Sequence, residues 1–231
     1  MTYDFLKPIA QKSLIDRIKK IDICVSDLDY TDATSPATAI VTDISHFFSK
    51  PGYIHWAIKT AFGKILNGQL ADSKYWSEFI ELFLRESSEL DYIKCKFTEE
   101  RIRKSLLPRV EEFYRNLPSK SYKVYITRNI KELADAYAKM LDLNLVIAEA
   151  FNKWKEVEKL FPEYGRYKNW LIKGDSEEDV EVLDFLKLKK RKHHIDDVVG
   201  IYVCGHSYNP NFDINIPQDY TGLVRAMKKF R

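Results

Sequence analysis

The sequence has 231 residues, 45% hydrophobic and 31% charged, enough for one sizeable core or for a core domain plus a smaller one. Its 37 basic and 34 acidic side chains give a net charge of +3, a near balance that argues against a dedicated nucleic-acid binder. The sequence has no long apolar span and no signal-peptide region at its start, so we expect no membrane partner and a cytoplasmic protein. The three cysteines lack the spacing of a disulfide framework or a zinc site.

The first predicted elements lead into an acidic segment. A helix over Pro8 to Lys20 precedes an apolar strand over Ile21 to Val25, and this strand runs into Asp27 and Asp29. Aspartate is depleted in strands and costly to bury, so both carboxylates belong in a loop at the carboxyl end of the strand. Ligands bind at that edge of an open α/β sheet, and we expect the chemistry there.

A helical region then interrupts the α/β pattern, after a loop from Asp32 to Ser49. Apolar residues at helical spacing predict helices over Ile54 to Leu66 and Tyr75 to Leu84, and a third helix that begins at Thr98. Because no second strand has yet appeared, we expect residues 50–106 to form a small helical subdomain. The core domain would then comprise residues 1–49 and 107–231.

From residue 107 onward, helices and strands alternate, which is typical of a doubly wound parallel sheet of the α/β class. The predicted strands are Tyr122 to Thr127, Asn144 to Ala148, Asn169 to Lys173 and Val198 to Cys204. The predicted helices are Val110 to Asn116, Ile130 to Leu141, Asn152 to Phe161, one that ends near Lys189, and Asp219 to Phe230.

Functional groups follow three of these strands. Asp27 and Asp29 follow the first strand, Thr127 ends the second, and Asp175 and Asp179 follow the fourth. Strand ends of this kind meet at one edge of a parallel sheet, so the side chains converge on one cleft. Converging carboxylates repel each other unless a cation lies among them, and oxygen ligands without histidine or thiolate favour Mg²⁺.

The same cleft has the other groups that phosphate chemistry requires. Thr127 offers a hydroxyl, Arg128 offers a backbone N–H, and several lysines lie between Lys153 and Lys159. This combination suits covalent phosphoryl transfer through an aspartyl-phosphate.

These residues resemble the motifs of the haloacid dehalogenase superfamily of phosphohydrolases. The matching residues are Asp27, Asp29 and Thr31 for the first motif, Thr127 for the second, and Gly174, Asp175 and Asp179 for the fourth. The resemblance implies a Rossmann-like core with an inserted helical cap. It also implies a Mg²⁺-dependent phosphomonoester hydrolase whose partner is a small phosphorylated metabolite.

The resemblance also implies roles for the acids. Asp27 would be the nucleophile and a metal ligand. Asp29 would first be the general acid and then the base that activates water, and its backbone carbonyl would face the metal. Asp175 would be a metal ligand, and Asp179 a further ligand or a support for one.

On the substrate side, the resemblance implies that Thr127 and the backbone N–H of Arg128 hold the phosphoryl oxygens. The Arg128 side chain and Asn129, which lie one and two residues further along, are candidates for contact with the rest of the substrate.

The third motif of the family is a lysine, and here the sequence leaves alternatives open. Lys153 is the favoured residue because Val157 lies behind it at helical spacing; Lys155 competes with it, and Lys173 does so less strongly. Tyr30 departs from the frequent glycine of the first motif, and we interpret it as a packed loop aromatic rather than a group that stacks on substrate.

Two other functions remain open at this point. The first is a phosphotransferase or phosphomutase, in which the aspartyl-phosphate passes to another hydroxyl. The second is a binding protein that kept the fold and lost turnover, although the complete set of acids argues against it. The oligomeric state is open as well.

Overall fold

Parallel strands form a single sheet at the centre of the computed structural model, which describes residues 12–34, 51, 54–55, 98–190, 192, 194–204 and 208–230. The strands are β1 (Ile23–Ser26), β2 (Tyr122–Ile126), β3 (Leu145–Ile147), β4 (Asn169–Gly174), β5 (Asp197–Val203) and β6 (Ile214–Ile216). The helices are α1 (Lys12–Ile18), α2 (Glu99–Ser105), α3 (Val110–Asn116), α4 (Lys131–Leu141), α5 (Lys153–Tyr164), α6 (Glu177–Lys189) and α7 (Thr221–Lys229).

The strand order places β1 at the position where the winding reverses. The sheet runs β3-β2-β1-β4-β5-β6, and every neighbouring pair is parallel. In β1, Val25 lies opposite Val124 of β2 on one side and Ile172 of β4 on the other. The predicted α/β class and doubly wound parallel sheet are therefore confirmed.

Helices cover both faces of this sheet, and each face has its own buried core. Residues of α1, α3, α4 and α7 pack on one face, where Cys24, Tyr125 and Leu171 point from the strands. Residues of α5 and α6 pack on the other face, against Val25 and Ile172. Successive strand residues alternate between the two faces, so every second residue of β1 and β4 belongs to the same core.

The beginning of α2 agrees with its prediction. Thr98 is the N-cap residue, and its side chain accepts a hydrogen bond from the backbone N–H of Arg101 at 3.3 Å. This satisfies one of the amide groups that have no partner within the first turn of a helix.

Several predicted elements lie outside the described residues. These are the start of the first helix at Pro8, the helix Ile54 to Leu66 except for residues 54–55, and the helix Tyr75 to Leu84. The helical subdomain over residues 50–106 therefore stays a prediction. Among the described helices, none combines the length and the apolar character that crossing a membrane requires.

β6 was not predicted from the sequence. This strand pairs with β5 in the register Ile201 to Ile214 and Val203 to Ile216. With only Ile214, Asn215 and Ile216, the strand is too short for its apolar alternation to stand out from a loop.

Candidate active site

Three carboxylates meet at the carboxyl ends of β1 and β4, where the winding of the sheet reverses. Asp27 follows β1, Asp175 follows β4, and Asp179 lies in the first turn of α6. One oxygen from each lies within 4.8 Å of the others, an arrangement that could hold a metal ion. We call these three residues the acid cluster.

The backbone fixes the orientation of Asp27. Its N–H donates to the carbonyl oxygen of Lys173 in β4 at 3.0 Å, which continues the pairing of the two strands. Its Oδ1 accepts a hydrogen bond from the backbone N–H of Leu28 at 2.7 Å. Burial raises the pKa of Asp27, and the nearby charge of Lys153 opposes that rise.

Asp179 orients the turn that carries Asp175. Its Oδ2 accepts hydrogen bonds from the backbone N–H of Asp175 and of Ser176, both at 3.1 Å, and from Ser176 Oγ at 2.7 Å. Gly174 lies directly against this carboxylate, and a methyl group at position 174 would overlap it. The glycine is therefore required by the close approach of the Asp179 side chain.

Lys153 lies between two members of the acid cluster. It is the first residue of α5, and its Nζ is 2.9 Å from Asp27 Oδ2 and 2.8 Å from Asp179 Oδ1, with only 3% of the side chain exposed. Burial alone would lower the pKa of Lys153, but the charges of Asp179 and Asp27 outweigh it and raise the pKa. Lys155 is exposed on the same helix, with its ammonium group near the ring of Trp154.

Asp29 lies beside the acid cluster and is bonded to Asn129. Its Oδ2 accepts a hydrogen bond from Asn129 Nδ2 at 2.8 Å, and its Oδ1 is buried without a partner among the described residues. Burial and the charge of Asp27 raise the pKa of Asp29 to about 7, although the bond from Asn129 opposes the rise. For Asp175, burial and the charge of Asp27 raise the pKa to about 8.

The three residues predicted to bind substrate lie at the end of β2. Thr127 is buried, and its Oγ1 accepts a hydrogen bond from the backbone N–H of Asn129 at 3.2 Å. The Arg128 guanidinium lies 3.3 Å from Glu178 Oε1, and the Asn129 amide is bonded to Asp29. Their contacts with substrate stay predictions.

The interpretation of Tyr30 as a packed loop aromatic was wrong. The residue is 46% exposed, between Asp29 and Thr31 of the first motif. Its φ of 54° lies in the left-handed region that favours glycine, which accounts for the frequent glycine of the family pattern at this position.

A further buried charge pair at the same edge of the sheet was not predicted from the sequence. Lys173 Nζ lies 2.5 Å from Asp32 Oδ1, on the opposite face of the sheet from α5. Lys173 is therefore far less suited than Lys153 to reach the acid cluster. The available signal was a lysine within the apolar strand that ends at Gly174, because a buried charge requires a partner.

Fold and site together define the class of this protein: a doubly wound α/β protein with a carboxylate site, suited to a divalent cation, at the reversal point of its parallel sheet.

Comparison with known proteins finds solved structures that have a similar fold. No protein-family model matches the sequence, and no curated protein matches it. Among solved structures, a protein of Burkholderia xenovorans LB400 designated a haloacid dehalogenase-like hydrolase is similar, with a TM-score of 0.55, 11% identity, and coverage of 88% of this chain and 98% of that one. The HAD-hydrolase YfnB of Bacillus subtilis, bound to magnesium, is similar with a TM-score of 0.51, 10% identity, and coverage of 91% and 100%. The chain has the fold of the haloacid dehalogenase-like hydrolases, and the resemblance seen in the sequence is confirmed at the level of the fold.

Proposed function

We propose that this protein is a Mg²⁺-dependent phosphomonoester hydrolase that works through an aspartyl-phosphate on Asp27. The observation that carries the proposal is the contrast between the surroundings of two neighbouring acids. Asp27 Oδ2 lies 2.9 Å from the Lys153 ammonium group, whereas Asp29 is bonded to the Asn129 amide, and burial with the charge of Asp27 raises the pKa of Asp29 to about 7. Neighbouring carboxylates with separated roles are the usual arrangement for a nucleophile and a general acid.

The acid cluster fits a divalent cation. Its carboxylates are hard oxygen ligands close enough to share one ion, and burial together with repulsion from neighbouring carboxylates raises the pKa values of Asp27 and Asp175. Asp27 and Asp175 would hold Mg²⁺ with the backbone carbonyl of Asp29. Asp179 would support them, since both of its oxygens already accept hydrogen bonds from the protein. When bound, the ion supplies positive charge that offsets the negative charge of the phosphoryl group.

The remaining chemistry is assigned to the side chains of the chain itself. An Asp27 oxygen attacks phosphorus and the bond from phosphorus to the leaving oxygen breaks, while Asp29 donates its proton to that oxygen. Asp29, now a carboxylate, takes a proton from the water that attacks the aspartyl-phosphate and releases inorganic phosphate. Lys153 keeps Asp27 ionised before attack, and Thr127 with the backbone N–H of Arg128 binds the phosphoryl oxygens.

The proposed substrate is a small phosphorylated metabolite. This part of the proposal depends on the sequence prediction that residues 50–106 form a helical cap inserted after β1, because a cap that closes over a cleft excludes water and favours small substrates.

The test is hydrolysis of p-nitrophenyl phosphate by wild type and by Asp27→Asn, each with and without Mg²⁺. We expect Mg²⁺-dependent turnover in wild type and a loss of at least about 10³-fold in the variant, because the nucleophile is removed. Asp184→Asn, at an exposed position of α6, is the matched control and should retain wild-type activity. Equal turnover by wild type and Asp27→Asn would refute the proposed nucleophile, and folded wild type with no turnover would refute the hydrolase.

A further inference from the structure

A second buried ion pair lies beneath the loop after β1, and no step of the proposed reaction uses it. Lys173 Nζ and Asp32 Oδ1 are 2.5 Å apart, and both side chains are 0% exposed. The ammonium group lies 4.3 Å from the ring centroid of Tyr114, 4.8 Å from that of Phe113 and 4.9 Å from that of Tyr220. Buried ion pairs are weak sources of net stability because desolvation offsets their attraction, so this pair requires another explanation.

Hydroxyl groups complete the hydrogen bonding of Asp32. Its Oδ2 accepts from the Tyr114 hydroxyl at 2.5 Å and from the Tyr125 hydroxyl at 3.0 Å, and the Ser26 hydroxyl lies 3.1 Å away. A buried network with all of its members bonded restricts its surroundings to one geometry. We refer to the following residues as the Lys173 cluster: Ser26, Asp32, Tyr114, Tyr125, Lys173 and Tyr220.

Lys173 holds both ends of the loop formed by residues 27–32. At the start of the loop, the backbone oxygen of Lys173 accepts the N–H of Asp27 at 3.0 Å. At the end, its ammonium group binds the Asp32 carboxylate. The loop is closed on itself as well, since the backbone N–H of Asp32 donates to the carbonyl oxygen of Leu28 at 3.0 Å.

The same cluster connects the loop to Asp175. The Tyr220 hydroxyl accepts a hydrogen bond from Lys173 Nζ at 3.2 Å and donates to the backbone oxygen of Thr31 at 2.8 Å. Thr31 Oγ1 in turn donates to Asp175 Oδ1 at 3.3 Å. Asp175 also follows Lys173 by two residues, so the ion pair is connected to Asp27 through the loop and to Asp175 through Tyr220 and Thr31.

We infer that Lys173 and Asp32 are positioning residues that set the separation of the Asp27 and Asp175 carboxylates for Mg²⁺ binding. This inference rests on the proposed function and extends it to residues that touch neither substrate nor metal. Removing the pair frees the Asp32 end of the loop, while the backbone bond between Asp27 and Lys173 stays, and this weakens Mg²⁺ binding without removing a ligand.

The experiment uses the full-length double variant Asp32→Asn/Lys173→Met. The two changes remove both charges together, so no unpaired charge is left in the core. They also nearly preserve the volume of the two side chains. Mg²⁺ binding is measured by isothermal titration calorimetry, and folding by circular dichroism and thermal unfolding. Turnover of p-nitrophenyl phosphate is measured over a range of Mg²⁺ concentrations.

We expect the double variant to bind Mg²⁺ at least about 10-fold more weakly than wild type, as found when groups that orient metal ligands are removed. Its kcat should fall at low Mg²⁺ and recover in part at high Mg²⁺, with little change in KM for the aryl phosphate. The control is Arg17→Met, which removes ion pairs to Asp197 and Asp213 near the amino ends of β5 and β6, the edge opposite the acid cluster, and should leave Mg²⁺ affinity unchanged. A folded double variant with wild-type Mg²⁺ affinity overturns the inference.

Two other outcomes are also decisive. If the double variant does not fold, Tyr220→Phe takes its place, because it deletes only the hydroxyl between Lys173 and Thr31; unchanged Mg²⁺ affinity in that variant overturns the inference. If wild type neither binds Mg²⁺ nor hydrolyses the aryl phosphate, the proposed function fails and this inference fails with it. A failure confined to the variants leaves the proposed function intact.

Discussion

Replacing Lys153 with methionine tests the electrostatics of the site directly. Methionine keeps the buried apolar stem but removes the charge that compensates Asp27 and Asp179, whose side chains are 10% and 4% exposed. Breaking a buried ion pair by removing one partner costs about 3–5 kcal/mol, because the other charge stays buried and unpaired. For a protein of this size, such a loss lowers the melting temperature by about 10 °C.

The assay is urea unfolding of the metal-free protein, with Lys155→Met as the matched control. Lys155 lies on the same helix with an exposed side chain, so its replacement should change the free energy of unfolding by less than about 0.5 kcal/mol. The loss of stability in Lys153→Met should grow as pH rises, because the buried Asp27 carboxyl, left without its ion pair, takes up a proton at low pH. Added Mg²⁺ should stabilise Lys153→Met more than wild type, since the ion replaces the missing charge. If Lys153→Met and Lys155→Met are equally stable at pH 8, the reasoning about the acid cluster is refuted.

Three further changes test separate parts of the structure. The pKa of Asp29 is raised to about 7, so the favourable contribution of this carboxyl to stability is present below about pH 4 and is lost as pH rises through 7. In urea unfolding of metal-free protein, the stability of Asp29→Asn relative to wild type should therefore increase by about 1.4 kcal/mol between pH 6 and pH 8.5. Parallel pH profiles for the two proteins would contradict this. Gly174→Ala should displace the Asp179 carboxylate and weaken Mg²⁺ binding about 10-fold, measured by calorimetry, whereas the control Gly222→Ala in α7 should leave Mg²⁺ binding unchanged. Equal Mg²⁺ affinities of the two variants would show that a methyl group at position 174 is tolerated. Asp142 is the C-cap residue of α4, and its φ of 55° lies in the left-handed region that favours glycine, so Asp142→Gly should raise stability by about 1 kcal/mol in thermal unfolding. Asp142→Asn removes only the negative charge at the helix C-terminus and should raise stability by less. A destabilised glycine variant would refute this explanation of the cap.

Much of the core fold could be predicted because its signals are local. β1, β2, β4 and β5 are apolar segments that read as strands without reference to their partners, and their alternation with helices implies a parallel sheet. β6 has no such signal. Its three residues form a strand only because the edge of β5 is available beside them.

The candidate site also contains some residues that the sequence could predict and others that it could not. Asp27, Asp175 and Lys153 stand at the ends of regular elements, so the topology alone brings them to one edge of the sheet. The pair of Asp32 and Lys173 joins residues 141 positions apart, and no local pattern specifies that contact. Their assignment required the three-dimensional packing of α3 and α7 against the sheet.

The connection between β1 and β2 has a consequence for how this protein can change. The two strands are direct neighbours in the sheet, yet residues 27–121 lie between them. A parallel crossover needs only about a dozen residues, and each doubling of a loop adds about 0.6 kcal/mol of closure entropy. A connection of this length therefore costs only about 2 kcal/mol more than the shortest crossover. Residues can therefore be added or lost between the loop after β1 and α2 at little entropic cost to the sheet, while the acids at the strand ends stay in place.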